Sequence, residues 1–147
     1  MEIVKCLPAD AALLAAMNKQ LIEDEGSDNP MTPGELEERM RGFLSTRYDA
    51  YFFTEEGEAV GYALVDSKAS PLYLRQFFIC RGRRRDHRGT PAFRLLMREL
   101  GTDTIDVEVL SRNEPGARFW ESLGFEERSR YLRLAPGRGA PGETPGG

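Results

Sequence analysis

The sequence is poor in the residues that carry metal and redox chemistry. Its 147 residues include two cysteines, one histidine and one tryptophan. Cys6 and Cys80 have no metal-ligand spacing and are too few to frame a disulfide-stapled domain, so reduced packing thiols and no metal are expected. No apolar run approaches the ~20 residues a membrane helix needs. Met1–Asp10 lacks the basic-then-apolar order of a secretory leader, which predicts a cytoplasmic protein without a membrane partner. A net charge of −4 gives no global basic field for nucleic acid. There is no Gly-Lys-Ser/Thr phosphate loop and no internal repeat.

What is present reads as one soluble core: 40% hydrophobic and 30% charged residues. Residues 1–6 suit a short strand. Ala9 to about Glu25 suits a helix with Leu14, Met17 and Leu21 on one stripe, broken by Gly26-Ser27-Asp28-Asn29-Pro30. Thr32-Pro33-Gly34-Glu35 offers an N-cap hydroxyl, a proline at the first helical position and a capping-box glutamate. Leu36, Met40 and Phe43 follow at helical spacing. Tyr48–Thr54 and Ala59–Val65 read as a hairpin turning at Glu55-Glu56-Gly57. Pro71–Cys80 reads as a third long strand, and Thr90-Pro91 opens a helix ending near Gly101. Thr104–Leu110 is a predicted strand, Glu114–Leu123 a short helix and Phe125–Leu134 a last strand. The order βααβββαβαβ predicts a mixed α/β domain over 1–134. Residues 135–147, glycine- and proline-rich with nothing apolar larger than alanine, are expected to be a disordered tail.

The stretch from Leu74 to Leu100 is the most informative. Arg81, Arg83, Arg84, Arg85, Arg88 and Gly89 lie between a buried strand and a capped helix start. A helix N-terminus presents unpaired N–H groups and partial positive charge. Arginines add charge-assisted bonds of roughly 1.5–3 kcal/mol each. The combination suits an anionic, phosphate-bearing ligand, although a solvated basic turn has the same composition.

Arg84-Arg85-Asp86-His87-Arg88-Gly89 resembles the Gln/Arg-x-x-Gly-x-Gly/Ala pyrophosphate motif of the GNAT acyltransferases. Asn113-Glu114-Pro115-Gly116-Ala117-Arg118-Phe119-Trp120-Glu121-Ser122-Leu123-Gly124-Phe125 is similar to their Asn-x-x-Ala-x-x-Phe-Tyr-x-x-x-Gly-Phe segment, and the element order agrees over residues 1–134. The resemblance implies a mixed central sheet with helices on both faces, acetyl-CoA as cosubstrate, and a small-molecule or peptide amine as acceptor. A homodimer is compatible with it. It implies that backbone groups of Phe77, Phe78 and Ile79 hold the pantetheine arm in the gap between 74–80 and 104–110. Arg84, Arg85, His87, Arg88, Gly89 and Thr90 would hold the pyrophosphate. Asn113 would bond the arm near its thiol end, unless it is only a helix N-cap. Two residues depart from the pattern. His87 replaces a glycine, and Trp120 stands where many members place the tyrosine that protonates the leaving thiolate. An indole is no such acid.

For the general base the sequence offers Glu108. Strand alternation puts Ile105, Val107 and Val109 on one face and Asp106 and Glu108 on the other. Glu108 also matches the base position of the ribosomal-protein N-terminal acetyltransferases in that family. A solvated surface carboxylate is the plainer reading. The acceptor is expected between the first two helices and the sheet. There Glu23, Asp24, Glu25 and Asp28 would favour a cation, while Arg75 would orient an acidic group. The competing functions are a degenerate acyl-CoA-binding domain without turnover, for which His87 and Trp120 speak, and a nucleic-acid module using the arginine loop. The latter lacks the aromatic-plus-basic interleaving of such modules.

Overall fold

Five strands form one sheet in the order β1-β2-β3-β4-β5. The computed structural model describes residues 1–84 and 88–136, and at Arg83 and Arg84 the backbone only. The strands are β1 (Glu2–Lys5), β2 (Tyr48–Glu55), β3 (Glu58–Asp66), β4 (Leu72–Ile79) and β5 (Ile105–Val107). The helices are α1 (Ala11–Asp24), α2 (Pro33–Leu44), α3 (Arg81–Arg84), α4 (Gly89–Leu100) and α5 (Glu114–Ser122), with a 3-10 turn at Pro8–Asp10. β1 to β4 pair antiparallel in succession, and β4–β5 is parallel. The sheet is therefore mixed, as the element pattern predicts.

Alternation along β2 builds a core on each face. Ala50 and Phe52 point to one side, where Leu14, Met17 and Leu21 of α1 and Met40 of α2 are buried. Tyr51 and Phe53 point to the other, where Phe93 and Leu96 of α4 meet Ile105 of β5. A sheet covered on both faces needs apolar residues at successive positions, and β2 and β3 have them. Each such side chain contributes roughly 1.5–3 kcal/mol on burial.

Local signals set several boundaries. Thr32 Oγ1 accepts from Glu35 N at 3.2 Å, and Thr32 N donates to Glu35 Oε1 at 2.8 Å, completing the capping box of α2. The β2–β3 turn has positive φ at both Glu56 (52°) and Gly57 (79°), the geometry that matches the twist of a two-residue hairpin. Both thiols are free. Burial, with Asp10 adding to it, pushes the Cys6 thiol up to about 12, which fits a packing role.

Three elements differ from the sequence reading. The start of the arginine loop, Arg81–Arg84, is a single helical turn. β5 ends at Val107 rather than Leu110, because its partner strand bends away, as described below. Phe125–Leu134 forms no strand. Its centre, Glu126-Glu127-Arg128-Ser129-Arg130, offers no apolar face in either register, so pairing there would bury nothing. Tyr131, Leu132 and Leu134 are accordingly exposed. Residues 137–147, within the segment expected to be disordered, lie outside the described residues.

Candidate functional site

The site originates in one extra residue. In the β3–β4 ladder Gln76 lies opposite Leu64, while Leu74 lies opposite Val65. Arg75 is therefore an unmatched residue, a bulge that bends β4. Below it, Leu72, Tyr73 and Leu74 pair with Ile105, Asp106 and Val107, and the parallel pairing ends there. Above it the two chains splay apart.

The splay opens a cavity of about 520 Å³ whose wall includes Phe77, Phe78 and Ile79 on β4 and Val107 and Glu108 on the opposite chain. Gly89 and Thr90, the first residues of α4, close one end. The 12-residue helix α4 thus directs its N-terminal N–H groups and dipole at this space. Asn113, Gly116, Phe119 and Trp120 of the α5 region complete the wall. Eight of the cofactor-binding and base candidates read from the sequence come together here: Phe77, Phe78, Ile79, Gly89, Thr90, Glu108, Asn113 and Trp120.

The two sequence motifs are in physical contact. A Cβ on Gly89 would lie 2.9 Å from Phe119 Cε1, so only glycine lets the first turn of α4 pass this close to α5. Phe119 in turn stacks on Phe77 at 6.0 Å, and Trp120 meets Phe77, Phe93 and Phe125 edge-on at 5.3, 5.6 and 5.2 Å. Trp120 therefore has two roles: it belongs to the aromatic core and to the cavity wall. Asn113 also has two. Its Oδ1 caps α5 by accepting from Gly116 N at 3.1 Å, while its Nδ2 makes no hydrogen bond among the described residues and the side chain borders the cavity.

Arg88 is placed differently from the expectation. Its backbone occupies the N-cap of α4, while its guanidinium pairs with Glu55 Oε2 at 2.7 Å at the end of β2. It fastens the loop to the sheet and is not part of the cavity wall. Arg85, His87 and the side chain of Arg84 lie outside the described residues.

A second cavity, of about 300 Å³, adjoins the first, and Leu21, Glu25, Arg75, Gln76 and Glu108 border both. It lies between α1, the α1–α2 connection, α2 and β4. Glu108 stands where the two meet and accepts a hydrogen bond from Tyr73 Oη at 2.6 Å. Burial and that bond push the Tyr73 phenol above its ordinary range, so Tyr73 stays the donor. Burial, with Asp24 beside it, raises the Glu25 carboxyl. Of the four acidic residues noted in the α1–α2 connection, Glu23 and Asp28 border neither cavity. Asp24 is engaged by Arg81 at 2.8 Å.

Sequence reasoning missed Tyr73 and Arg39. Tyr73 reaches Glu108 only because parallel pairing sets it opposite Asp106, and no local pattern encodes that register. Arg39 looks like one more charge on a polar helix face. Its position is fixed by Asn18, fully buried on α1, whose Oδ1 accepts from Arg39 Nη2 at 2.9 Å.

Among the described residues no cluster of histidine, cysteine or carboxylate side chains could hold a metal, and no helix is long and apolar enough to cross a membrane. No family model and no curated protein matches the sequence. Solved structures do match. A possible acetyltransferase from Clostridium difficile 630 superposes with a TM-score of 0.75 at 14% identity, covering 91% of this chain and 95% of that one. The ribosomal-protein-alanine N-acetyltransferase from Brucella melitensis biovar Abortus 2308 gives 0.69 at 12% identity, covering 90% and 99%. AAC(6')-Iy in complex with the bisubstrate analogue CoA-S-monomethyl-acetylneamine gives 0.66 at 16% identity, covering 91% and 96%. At these identities the agreement is one of architecture: the chain has the GNAT fold, a mixed sheet splayed between two parallel strands with helices on both faces.

Proposed function

We propose that the protein transfers an acetyl group from acetyl-CoA to an amine by direct attack. The observation that carries this reading is the cavity between the splayed strands, which ends at the N-terminus of α4 and opens at Glu108 into a second, polar cavity. Its shape and chemistry fit the cosubstrate. An elongated apolar wall from Phe77 to Ile79 suits an extended arm, the Asn113 amide suits one of its carbonyls, and the helix terminus suits a pyrophosphate. AAC(6')-Iy, with the same fold, is in complex with a CoA conjugate, which supports a CoA-type cosubstrate here.

Acetyl-CoA supplies an activated acetyl carbon as a thioester. The chain's residues do the rest. Glu108 takes the proton that the amine sheds as its nitrogen bonds to that carbon and the carbon–sulfur bond breaks. Tyr73 keeps the Glu108 carboxylate oriented. Backbone N–H groups of the Phe77–Ile79 segment stabilise the oxygen that gains charge. Water returns a proton to the sulfur, since Trp120 cannot.

Glu108→Gln is expected to lower kcat by ~100- to 10,000-fold while the thermal shift given by acetyl-CoA persists. That shift corresponds to about 2.7 kcal/mol at a hundredfold excess over Kd. Tyr73→Phe, a positioning change, should lower kcat by about 10-fold and leave the KM for acetyl-CoA unchanged. Arg84→Ala with Arg85→Ala should abolish most of the thermal shift. Normal turnover in Glu108→Gln would remove the base, and a full shift in the double variant would remove the pyrophosphate site.

Trp120 favours one second reading, an acyl-CoA-binding domain without turnover. The indole borders the cavity and is locked by its aromatic neighbours. Release of free CoA thiol with a panel of amines separates the two: acetyl-CoA that stabilises the fold and is never consumed would establish the binding domain.

A further inference from the structure

The second cavity is lined by two arginines that share one aromatic ring. The Arg39 and Arg75 guanidinium carbons lie 5.5 and 4.9 Å from the centroid of the same ring, Phe43. Among the described residues neither is ion-paired. Both border the cavity. Arg75 is held by the β4 bulge and donates to Tyr48 Oη at 3.4 Å. Arg39 is held by Asn18, a side chain 1% exposed. Burial and the nearby Arg75 charge both push the Arg39 guanidinium below its ordinary range. Two like charges held against one ring repel each other, and an anion bound between them would relieve that repulsion.

The same cavity also carries carboxylates. Glu25 and Glu108 are the ones that border it, and both also border the acetyl-CoA cavity. Arg75 borders both cavities as well, and of these four only Arg39 is confined to the second one, so the space presents two guanidinium groups together with the carboxylate of the candidate base. Aromatic faces under arginines and a forked donor geometry suit a carboxylate.

We infer that the acceptor is an amine bearing its own carboxylate, of the size and kind of a free amino acid. The carboxylate is bound by Arg39 and Arg75, and the amine is directed to Glu108. This rests on the acetyl-transfer reading and narrows it. A purely cationic acceptor such as a polyamine would leave both arginines unmatched. The volume, about 300 Å³, lies at the small end of ligand cavities.

The test compares the common amino acids, each assayed singly with acetyl-CoA, with their carboxamides and with putrescine. The α-amine of a carboxamide is less basic, so more of it is the neutral nucleophile, and without carboxylate recognition the amides would react better. The inference expects kcat/KM for at least one amino acid to exceed that of its amide by 10-fold or more. Arg75→Gln and Arg39→Gln should each reduce that value by about 10- to 100-fold, the range of a charge-assisted hydrogen bond. The amide rates should change little, and acetyl-CoA should still raise the Tm. Amides or putrescine as the better substrates in the parent protein, or arginine variants that lose acid and amide turnover equally while folded, would overturn it. If acetyl-CoA binds and no amine is acetylated, the transfer reading fails. Calorimetry of the same amino acids and amides against the acetyl-CoA complex then decides the carboxylate site. Acid binding lost in Arg75→Gln supports it, and equal or absent binding ends it.

Discussion

At the scale of single residues, the side chains at this site have both structural and ligand-facing atoms. Asn113 is the clearest case, because its two ends can be separated. Its Oδ1 caps α5, and its Nδ2 is the end available to a ligand. Asn113→Asp retains the cap and removes the donor, so the Tm should stay close to that of the parent while acetyl-CoA binds more weakly. Asn113→Ala should lose about 1 kcal/mol of stability as well. Denaturant melts with and without acetyl-CoA measure both quantities. Equal acetyl-CoA affinity in the aspartate variant would make Asn113 a helix cap and nothing more. Such a residue is legible in sequence as a cap, because a cap is a local hydrogen bond. Its second role depends on what stands across the cavity. Tyr73 marks the limit of reading: its partner Glu108 is 35 residues away, brought to it by strand register.

At the scale of elements, the close crossing of α4 and α5 joins the loop motif to the downstream motif. Gly89→Ala places a methyl group 2.9 Å from Phe119 Cε1, and ordinary contact needs the helix or the ring to move. The first turn of α4 should shift, and acetyl-CoA affinity should fall by at least 10-fold, about 1.4 kcal/mol. Phe119→Leu in the same chain removes the obstructing ring edge and should restore part of the affinity. A Gly89→Ala variant that binds normally would show that the crossing has slack. The glycine was visible in the sequence through the resemblance of residues 84–89 to a pyrophosphate motif. That it serves helix–helix approach was not, because the residue it clears lies in another element. The arginine loop was likewise visible as positive charge, yet Arg88 is turned to Glu55, since a nearby carboxylate competes with any ligand.

At the scale of the whole molecule, the two cores are coupled through β2, β3 and β4, whose alternating residues feed both faces. Tyr62 lies in the middle of one core and donates to Gln76 Oε1 at 2.8 Å. Burial holds its phenol above the ordinary tyrosine range, as burial and Glu108 hold that of Tyr73. In the unfolded chain both ionise near pH 10, so above that pH the folded state binds more protons than the unfolded one. Stability then falls as pH rises. The Tm should decline steeply above about pH 10, and less steeply in Tyr62→Phe and Tyr73→Phe. An alkaline limb unchanged in both variants would assign the decline to other groups. Glu25 is raised in the same way, by burial and a neighbouring carboxylate, and the sign is the same. Its raised carboxyl binds a proton more readily folded than unfolded, so its ionisation weakens the fold as pH rises through the acidic range. Glu25→Gln should therefore raise the Tm at neutral pH.

By itself the sequence determined whatever depends on neighbours along the chain. The Thr32–Glu35 capping box, the Glu56-Gly57 turn, the buried stripe of Leu14, Met17 and Leu21 and the α4 terminus beside a basic loop all follow from hydrogen bonds or periodicities a few residues long. Tertiary structure decided the rest. The Arg75 bulge, the early end of β5 and the Tyr73–Glu108 bond come from register between segments far apart in sequence, and the Arg39–Arg75 pair from the packing of α2 against α1 and β4. Register is chosen by the fit of two cores around one sheet, a condition on the whole chain that no short stretch of it can express.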